Sequence, residues 1–167
     1  MNKPNNGTVT AYIGLGSNLA DPVEQVRSAR AECAAVPGVR ELAFSSLYRS
    51  PPMGPQDQPD YVNAVMAVST DLAAPALLHH LQHIEQVHGR VRVGERWTAR
   101  TLDLDLLIYG EHRIETAELT VPHPGLSLRA FVLYPLFEIA PELVAPGLGR
   151  IADLIVNCPR GGLERIN

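Results

Sequence analysis

Residues 100–109 read Arg100-Thr101-Leu102-Asp103-Leu104-Asp105-Leu106-Leu107-Ile108-Tyr109, and the alternation within them decides how the chain is read. Strictly alternating apolar and acidic residues followed by an aliphatic run predict a β-strand. Side chains in a strand alternate faces, so Asp103 and Asp105 share one face while Leu102, Leu104 and Leu106 share the other. The two carboxylates then stand roughly 7 Å apart at the backbone, close enough to converge on one or two hard divalent cations. A magnesium site of this kind leaves coordination positions for water and phosphate oxygens. Taken alone, the pair also fits two solvated aspartates on a half-exposed strand.

The segment just upstream favours the cation. Arg90, Arg92, Arg96 and Arg100 are four arginines within eleven residues, in a chain with thirteen arginines, one lysine and a net charge of −4. The cluster is therefore local. Guanidinium groups grip phosphate oxygens bidentately and remain charged. Gly89 and Gly94 mark the segment as a loop, the usual carrier of recognition groups on a rigid scaffold. Arginines beside paired aspartates point to polyphosphate plus metal. Nucleic acid is disfavoured, because the rest of the chain is acidic and lacks a broad basic face.

At 167 residues and 46% apolar composition the chain can bury a core without staples. Cys33 and Cys158 lie far apart with no metal-ligand spacing, and Cys33 reads as a small buried hydrophobe in a helix. No apolar run reaches membrane-spanning length, and the N-terminus has no signal-peptide core. The expectation is a cytoplasmic, monomeric protein with a loose tail over residues 1–7 and a single domain over 8–167.

Strands are expected over 8–16, 40–49 and 61–69, with helices over 22–36 and 74–87. Asp21, Pro22 and Glu24 suggest a capped start for the first helix. The proline-rich stretch from Ser50 to Asp60 is a loop, since proline cannot donate to a ladder. A further helix is expected over 131–139. The order βαββαβ with a helical C-terminal extension predicts an α+β fold: a ferredoxin-like sandwich with helices packed on an antiparallel sheet.

Several motifs occur together in one order: Gly16-Ser17-Asn18-Leu19, Ser50-Pro51-Pro52-Met53-Gly54, Gln58-Pro59-Asp60-Tyr61-Val62-Asn63, Gly89-Arg90-Val91-Arg92, Glu95-Arg96-Trp97, Arg100-Thr101-Leu102-Asp103-Leu104-Asp105 and Val121-Pro122-His123-Pro124. In this the chain resembles the 6-hydroxymethyl-7,8-dihydropterin pyrophosphokinases of folate biosynthesis, over about residues 9–145.

The resemblance implies transfer of pyrophosphate from ATP to the pterin hydroxymethyl group, with AMP released. It places two Mg²⁺ ions on Asp103 and Asp105, which also locate the hydroxymethyl group. By the same resemblance Tyr61 and Phe131 sandwich the pterin ring, while Asn63, Ser50, Pro51, Pro52 and Met53 read its pyrimidine edge. Without it, the two aromatics would be ordinary core residues. Gln82, Glu85, Arg92, Trp97, Leu106, Thr120, His123 and Arg129 fall to the nucleotide, and Arg90 and Arg100 to the phosphates. Trp97 also helps close the site. His123, between two prolines, could donate to a phosphate oxygen. His79, His80, His83, His88 and His112 read as surface or helix residues. Thr98-Ala99 stands where members of the family often carry Gly-Pro, Glu118 where some carry a basic residue, and Pro124 where some carry an aromatic.

No general base is identifiable. Neither a P-loop nor a kinase glycine loop is present, so ATP must be held by side chains and metal. A metal-dependent phosphohydrolase and a non-catalytic nucleotide- or pterin-binding module are the alternatives.

Overall fold

The computed structural model describes residues 7–19, 21–52, 58–89 and 102–166. In chain order its elements are β1 (Val9–Ser17), α1 (Pro22–Ala34), β2 (Val39–Phe44), β3 (Tyr48–Ser50), β4 (Tyr61–Thr70), α2 (Ala74–Val87), β5 (Asp103–Tyr109), β6 (Ile114–Glu115), β7 (Thr120–Val121), a 3-10 turn (Leu126–Leu128), α3 (Ala130–Ile139), β8 (Val144–Ala145), β9 (Gly149–Arg150), α4 (Ile151–Val156) and β10 (Glu164–Arg165). The fold is α+β, with an antiparallel sheet ordered β10-β3-β4-β1-β5 and β2 also paired to β4.

Period-two alternation builds two cores, one on each face of this sheet. Ala11, Ile13 and Leu15 of β1, with Val62, Ala64, Met66 and Val68 of β4 and Leu104 and Leu106 of β5, pack against α1 and α2. Val65, Leu107 and Ile108 turn the other way, against Val132, Leu133 and Leu136 of α3 and Ile151 of α4. The register shift between Tyr12 and Ile13 inserts Leu107 as an extra residue in β5. Such a bulge turns two successive side chains to one face, which is how Leu107 and Ile108 both reach the α3 layer. Among the described residues no helix is long and apolar enough to cross a membrane.

The structure departs from the sequence expectations in three places. The strand expected over 40–49 is two, β2 and β3, separated by a bend at Ser45–Leu47. There the Ser45 hydroxyl accepts the Val65 N–H at 3.0 Å, and its own N–H donates to the Val65 carbonyl at 2.9 Å. A serine side chain thus replaces part of the backbone ladder. Asp21 sits at the N-cap of α1 but in a left-handed conformation (φ 63°), with no side-chain cap bond. Capping requires an extended backbone that aims the side chain at the first free N–H groups. The C-terminal extension is not only helical, because β10 returns to the main sheet beside β3. His88, read as a surface or helix residue, stands at the C-cap of α2 and clamps two helices: its Nε2 meets Glu32 Oε1 at 2.6 Å, and its Nδ1 meets the Gln25 side chain, both on α1.

Glu138 of α3 fastens the bend to the layer above it. It accepts from the Tyr48 hydroxyl at 2.7 Å, from the Ser46 N–H at 3.1 Å and from the Ser46 hydroxyl at 2.9 Å. Burial pushes its carboxyl up, but the hydrogen bonds from Tyr48 and Ser46 outweigh this and hold it below the ordinary value. Burial, reinforced by the hydrogen bond to Glu138, raises the Tyr48 phenol to about 12. A carboxyl depressed on folding adds stability above its unfolded pKa and loses it as pH falls through the folded value. We therefore expect Glu138→Gln to cost about 1 kcal/mol at neutral pH, the low end because the carboxylate is partly in water. In urea unfolding followed against pH, the gap to the unsubstituted protein should shrink below pH ~4.3.

Candidate active site

Four strands present a row of side chains beneath α3. Pairing aligns Tyr48, Asn63, Gly16 and Asp103 across β3, β4, β1 and β5, and the next rung aligns Val65, Gly14 and Asp105. Because Leu15 and Leu104 point into the α1–α2 core, alternation turns Gly14, Gly16, Asp103 and Asp105 to the opposite face. There they line a cleft of about 180 Å³ together with Ser50, Pro51, Tyr61, Asn63, Arg129 and Phe131. Pockets for drug-sized ligands run to roughly 300–1,000 Å³, so this one suits a single small ring system.

Gly14 and Gly16 line the cleft without having been named as site residues from the sequence, although Gly16 opens one of its motifs. A Cβ at Gly16 would stand 3.1 Å from Asn63 Oδ1, and one at Gly14 would stand 3.4 Å from Leu107 Cδ1. The two glycines thus form a bare floor between Asn63 on one side and the aspartates on the other. Their spacing, Gly-x-Gly inside a strand, was the available signal, since glycine in a strand interior marks close approach of another group.

Polar contacts hold the walls. Asn63 Nδ2 donates to the Ser50 hydroxyl at 2.8 Å, which commits one amide hydrogen and fixes the ring of polar groups around the floor. Asn18, buried just after β1, donates through Nδ2 to Gln58 Oε1 and to the Pro59 carbonyl, each at 3.1 Å. These bonds anchor the approach to Tyr61. Arg129 reaches the cleft by folding across Gly125, where a Cβ would fall 2.6 Å from its Nε, and its guanidinium carbon lies 5.8 Å from the Phe131 ring centre.

His123 sits at the edge of this group. Its N–H donates to the Leu107 carbonyl at 2.9 Å, using an acceptor at the bulge, and its Nδ1 accepts the Gly125 N–H at 3.0 Å. That assignment places the ring proton on Nε2 in the neutral form. Burial lowers the imidazole pKa, and Arg129 adds to the lowering against the opposing pull of Asp105. The ring is thus a neutral donor beside the carboxylates at physiological pH.

Of the described residues expected at the nucleotide, Arg129 lines this cleft and His123 stands at its edge, whereas Gln82, Glu85, Leu106 and Thr120 are not part of its lining. α2 and β7, which carry Gln82 and Thr120, both pack against β5, the last strand of the sheet. Gln82 is exposed on α2, and Thr120 is half-buried on β7. Two of the expectations fall on buried side chains. Leu106 is buried (3% exposed) in the α1–α2 core, so its side chain is withheld from any ligand, leaving only backbone groups. Glu85 is also buried (4% exposed), and its Oε2 accepts the Leu104 N–H at 2.7 Å. That carboxylate serves the backbone between the two aspartates. Pro52 is buried but does not line the cleft. Glu118 meets His79 across the surface between α2 and the β6–β7 hairpin. Met53, Arg90, Arg92, Trp97, Thr98-Ala99 and Arg100 lie outside the described residues, as do residues 1–6 of the expected tail.

The carboxylate pair suits a hard cation. Asp103 and Asp105 are both half-buried on one face beside an open floor, and among the described residues no cluster of three His, Cys, Asp or Glu side chains forms a closed cage. Two carboxylates with open positions are what Mg²⁺ takes when phosphate and water complete its shell.

Residues 12–141 match the family 7,8-dihydro-6-hydroxymethylpterin-pyrophosphokinase. A 2-amino-4-hydroxy-6-hydroxymethyldihydropteridine pyrophosphokinase of Haemophilus influenzae is 50% identical over 147 residues, which is 88% of this chain and 91% of that protein. The protein of the same name from Pseudomonas aeruginosa is 48% identical over 155 residues, covering 93% of this chain and 95% of that one. Among solved structures, a Plasmodium falciparum HPPK-DHPS with pteroate superposes with a TM-score of 0.71 at 14% identity. The match takes in 91% of this chain but only 42% of that one, and at this identity the likeness is one of fold.

Removal of the Glu85 carboxylate would leave a buried N–H unpaired between the two aspartates. Glu85→Ala should cost about 1–3 kcal/mol in denaturant unfolding, and Glu85→Gln, which keeps an acceptor oxygen, distinctly less.

Proposed function

The chain belongs to the 7,8-dihydro-6-hydroxymethylpterin-pyrophosphokinase family, and from that premise we infer how its cleft carries out the reaction. The pterin hydroxymethyl oxygen attacks the β-phosphorus of ATP, the bond from that phosphorus to the α,β-bridging oxygen breaks, and AMP leaves as the hydroxyl gives up its proton. The product is the pterin pyrophosphate of folate biosynthesis. The observation that carries this reading is the bare glycine floor set between Asn63 and the Asp103–Asp105 pair. It offers a flat ring a place on the sheet with its exocyclic arm toward the carboxylates.

On this reading Tyr61 and Phe131 cover the two faces of the pterin, as aromatic side chains do with planar heterocycles. The Asn63 amide groups not committed to Ser50 address the pyrimidine edge, with Ser50, Pro51, Pro52 and Met53 as neighbours. ATP runs along the outer edge of β5, with Gln82, Leu106 through its backbone, and Thr120 beside it. Neutral His123 donates from Nε2 toward a phosphate oxygen, and Arg129 adds charge from the cleft side. Arg90, Arg92 and Arg100 hold the phosphates, and Trp97 helps exclude water. Asp103 and Asp105 would hold two magnesium ions, whose charge neutralises the triphosphate. With both substrates held, positioning and electrostatics carry most of the rate, with no covalent intermediate.

The same reading treats residues 8–167 as one catalytic unit with a ferredoxin-like core, supported by the order β5-β1-β4 with β2 and β3 on the far side of β4. It takes the enzyme to be cytoplasmic and monomeric, which fractionation and sedimentation would check.

The test is a product assay with ATP, Mg²⁺ and 6-hydroxymethyl-7,8-dihydropterin that resolves AMP from ADP. AMP formed only with the pterin is the expected outcome. ADP, or phosphate released without pterin, would overturn the assignment. Asp103→Asn and Asp105→Asn should each lower kcat by at least about 10²–10³-fold while unfolding as the parent does. Arg100→Ala should lower kcat by more than it raises the KM for the pterin, because charge stabilisation is realised in the transition state.

A further inference from the structure

The wall of the cleft formed by Ser50 and Pro51 hangs from a very short strand. β3 has three residues, pairs with β4 on one side, and runs directly into Pro51-Pro52. Its other side is covered by the end of the chain: Glu164 pairs with Arg49, Arg165 with Tyr48, and the Ile166 N–H donates to the Leu47 carbonyl at 2.9 Å. Arg49 Nη1 repeats the strand pairing at 3.2 Å from Glu164 Oε1, and Arg165 Nη2 stands 4.0 Å from Glu138 Oε2 of α3.

The approach to this strand is also fastened. The Tyr134 hydroxyl donates to the Cys158 carbonyl at 2.8 Å, and the Arg160 guanidinium lies 4.9 Å over the Tyr134 ring. Between these anchors the backbone turns through two glycines in left-handed conformations, Gly161 (φ 56°) and Gly162 (φ 89°). They differ in surroundings. A Cβ at Gly162 would stand 3.3 Å from Pro51 Cγ, whereas one at Gly161 would find only the Pro159 carbonyl oxygen, at 4.0 Å. Leu163, next in line, is buried.

We propose that the C-terminal segment 158–166 is a positioning device for the ring-binding cleft: it covers the outer side of β3, seats Gly162 against the Pro51 ring, and thereby sets where the Ser50–Pro51 wall stands. This rests on the assignment of that cleft to the pterin. A displaced wall also displaces the Ser50 hydroxyl that fixes Asn63, so loss of the brace weakens pterin binding. Gln82 and Thr120, read as nucleotide residues, lie on elements packed against β5, at the opposite end of the sheet from β10, so the loss falls on the pterin and not on ATP.

The two glycines provide the experiment. In the full chain, Gly162→Ala should raise the KM for the pterin about tenfold, with kcat and the KM for ATP within about twofold of the parent. Gly161→Ala also places a side chain at positive φ, without touching Pro51, and should leave the pterin KM within about twofold. A chain ending at Leu163, which lacks β10, should show the same pterin-specific loss, and serves if Gly162→Ala does not fold. Equal effects of the two alanine variants, equal loss for both substrates, or no change in the pterin KM on removal of β10 would overturn the proposal. The parent protein assayed alongside separates this from the functional reading, which fails only if the parent itself makes no pterin-dependent AMP.

Discussion

Pairing of β1 with β4 on one side and β5 on the other is the constraint from which the rest of the molecule follows. Each register is set by residues that must be buried: Ile13 and Leu15 face α1 and α2 only if Met66, Ala64, Leu106 and Leu104 do so beside them. A slip of one residue on any strand would send those side chains to the other face and bring the aspartates into the core. Packing on the helix side therefore determines the position of Asp103 and Asp105 on the opposite side. The site needs no special backbone to bring its carboxylates into place.

The second consequence concerns what stands between them. Burial of a ring against a sheet needs a stretch of strand without side chains, and β1 supplies it at Gly14 and Gly16, in register with the two aspartates. Glycine weakens a strand interior through lost packing and greater chain entropy. Here β1 is an interior strand, with Gly14 and Gly16 paired to both β4 and β5, so the sheet tolerates the loss. The cost falls where neighbouring hydrogen bonds are densest.

Support for the site comes from below and from the side rather than from the cleft itself. Glu85, buried under β5, holds the amide between the aspartates. Glu138 gathers Ser46 and Tyr48 at the bend that precedes Ser50. Asn18 ties the end of β1 to the residues before Tyr61. Each is a polar side chain that satisfies backbone or neighbouring groups which a packed interior would otherwise leave unpaired. Together they let short strands and loop ends present side chains in fixed places.

Much of this was legible in the chain. The alternation of residues 102–106 placed the aspartates on one face, the helix expected over 74–87 has the bounds of α2, and the motif set pointed to the family and to residues that line the cleft. These signals are local, because side-chain periodicity reflects the geometry of a single element. Three features required the folded molecule. At Glu85 and Leu106 only the folded sheet shows a carboxylate bonded to the Leu104 amide and a leucine turned into the core. Ser45 divided a strand whose composition was continuous, because its hydroxyl found a partner on β4. Two residues near the end of the chain returned to pair with β3, more than a hundred positions away. Each depends on which segments meet across the sheet, and long-range pairing is decided by the whole core at once. The sequence by itself determined the periodicity of each element and the chemistry of its groups; tertiary packing alone decided which of those groups face the cleft and which are spent holding it in shape.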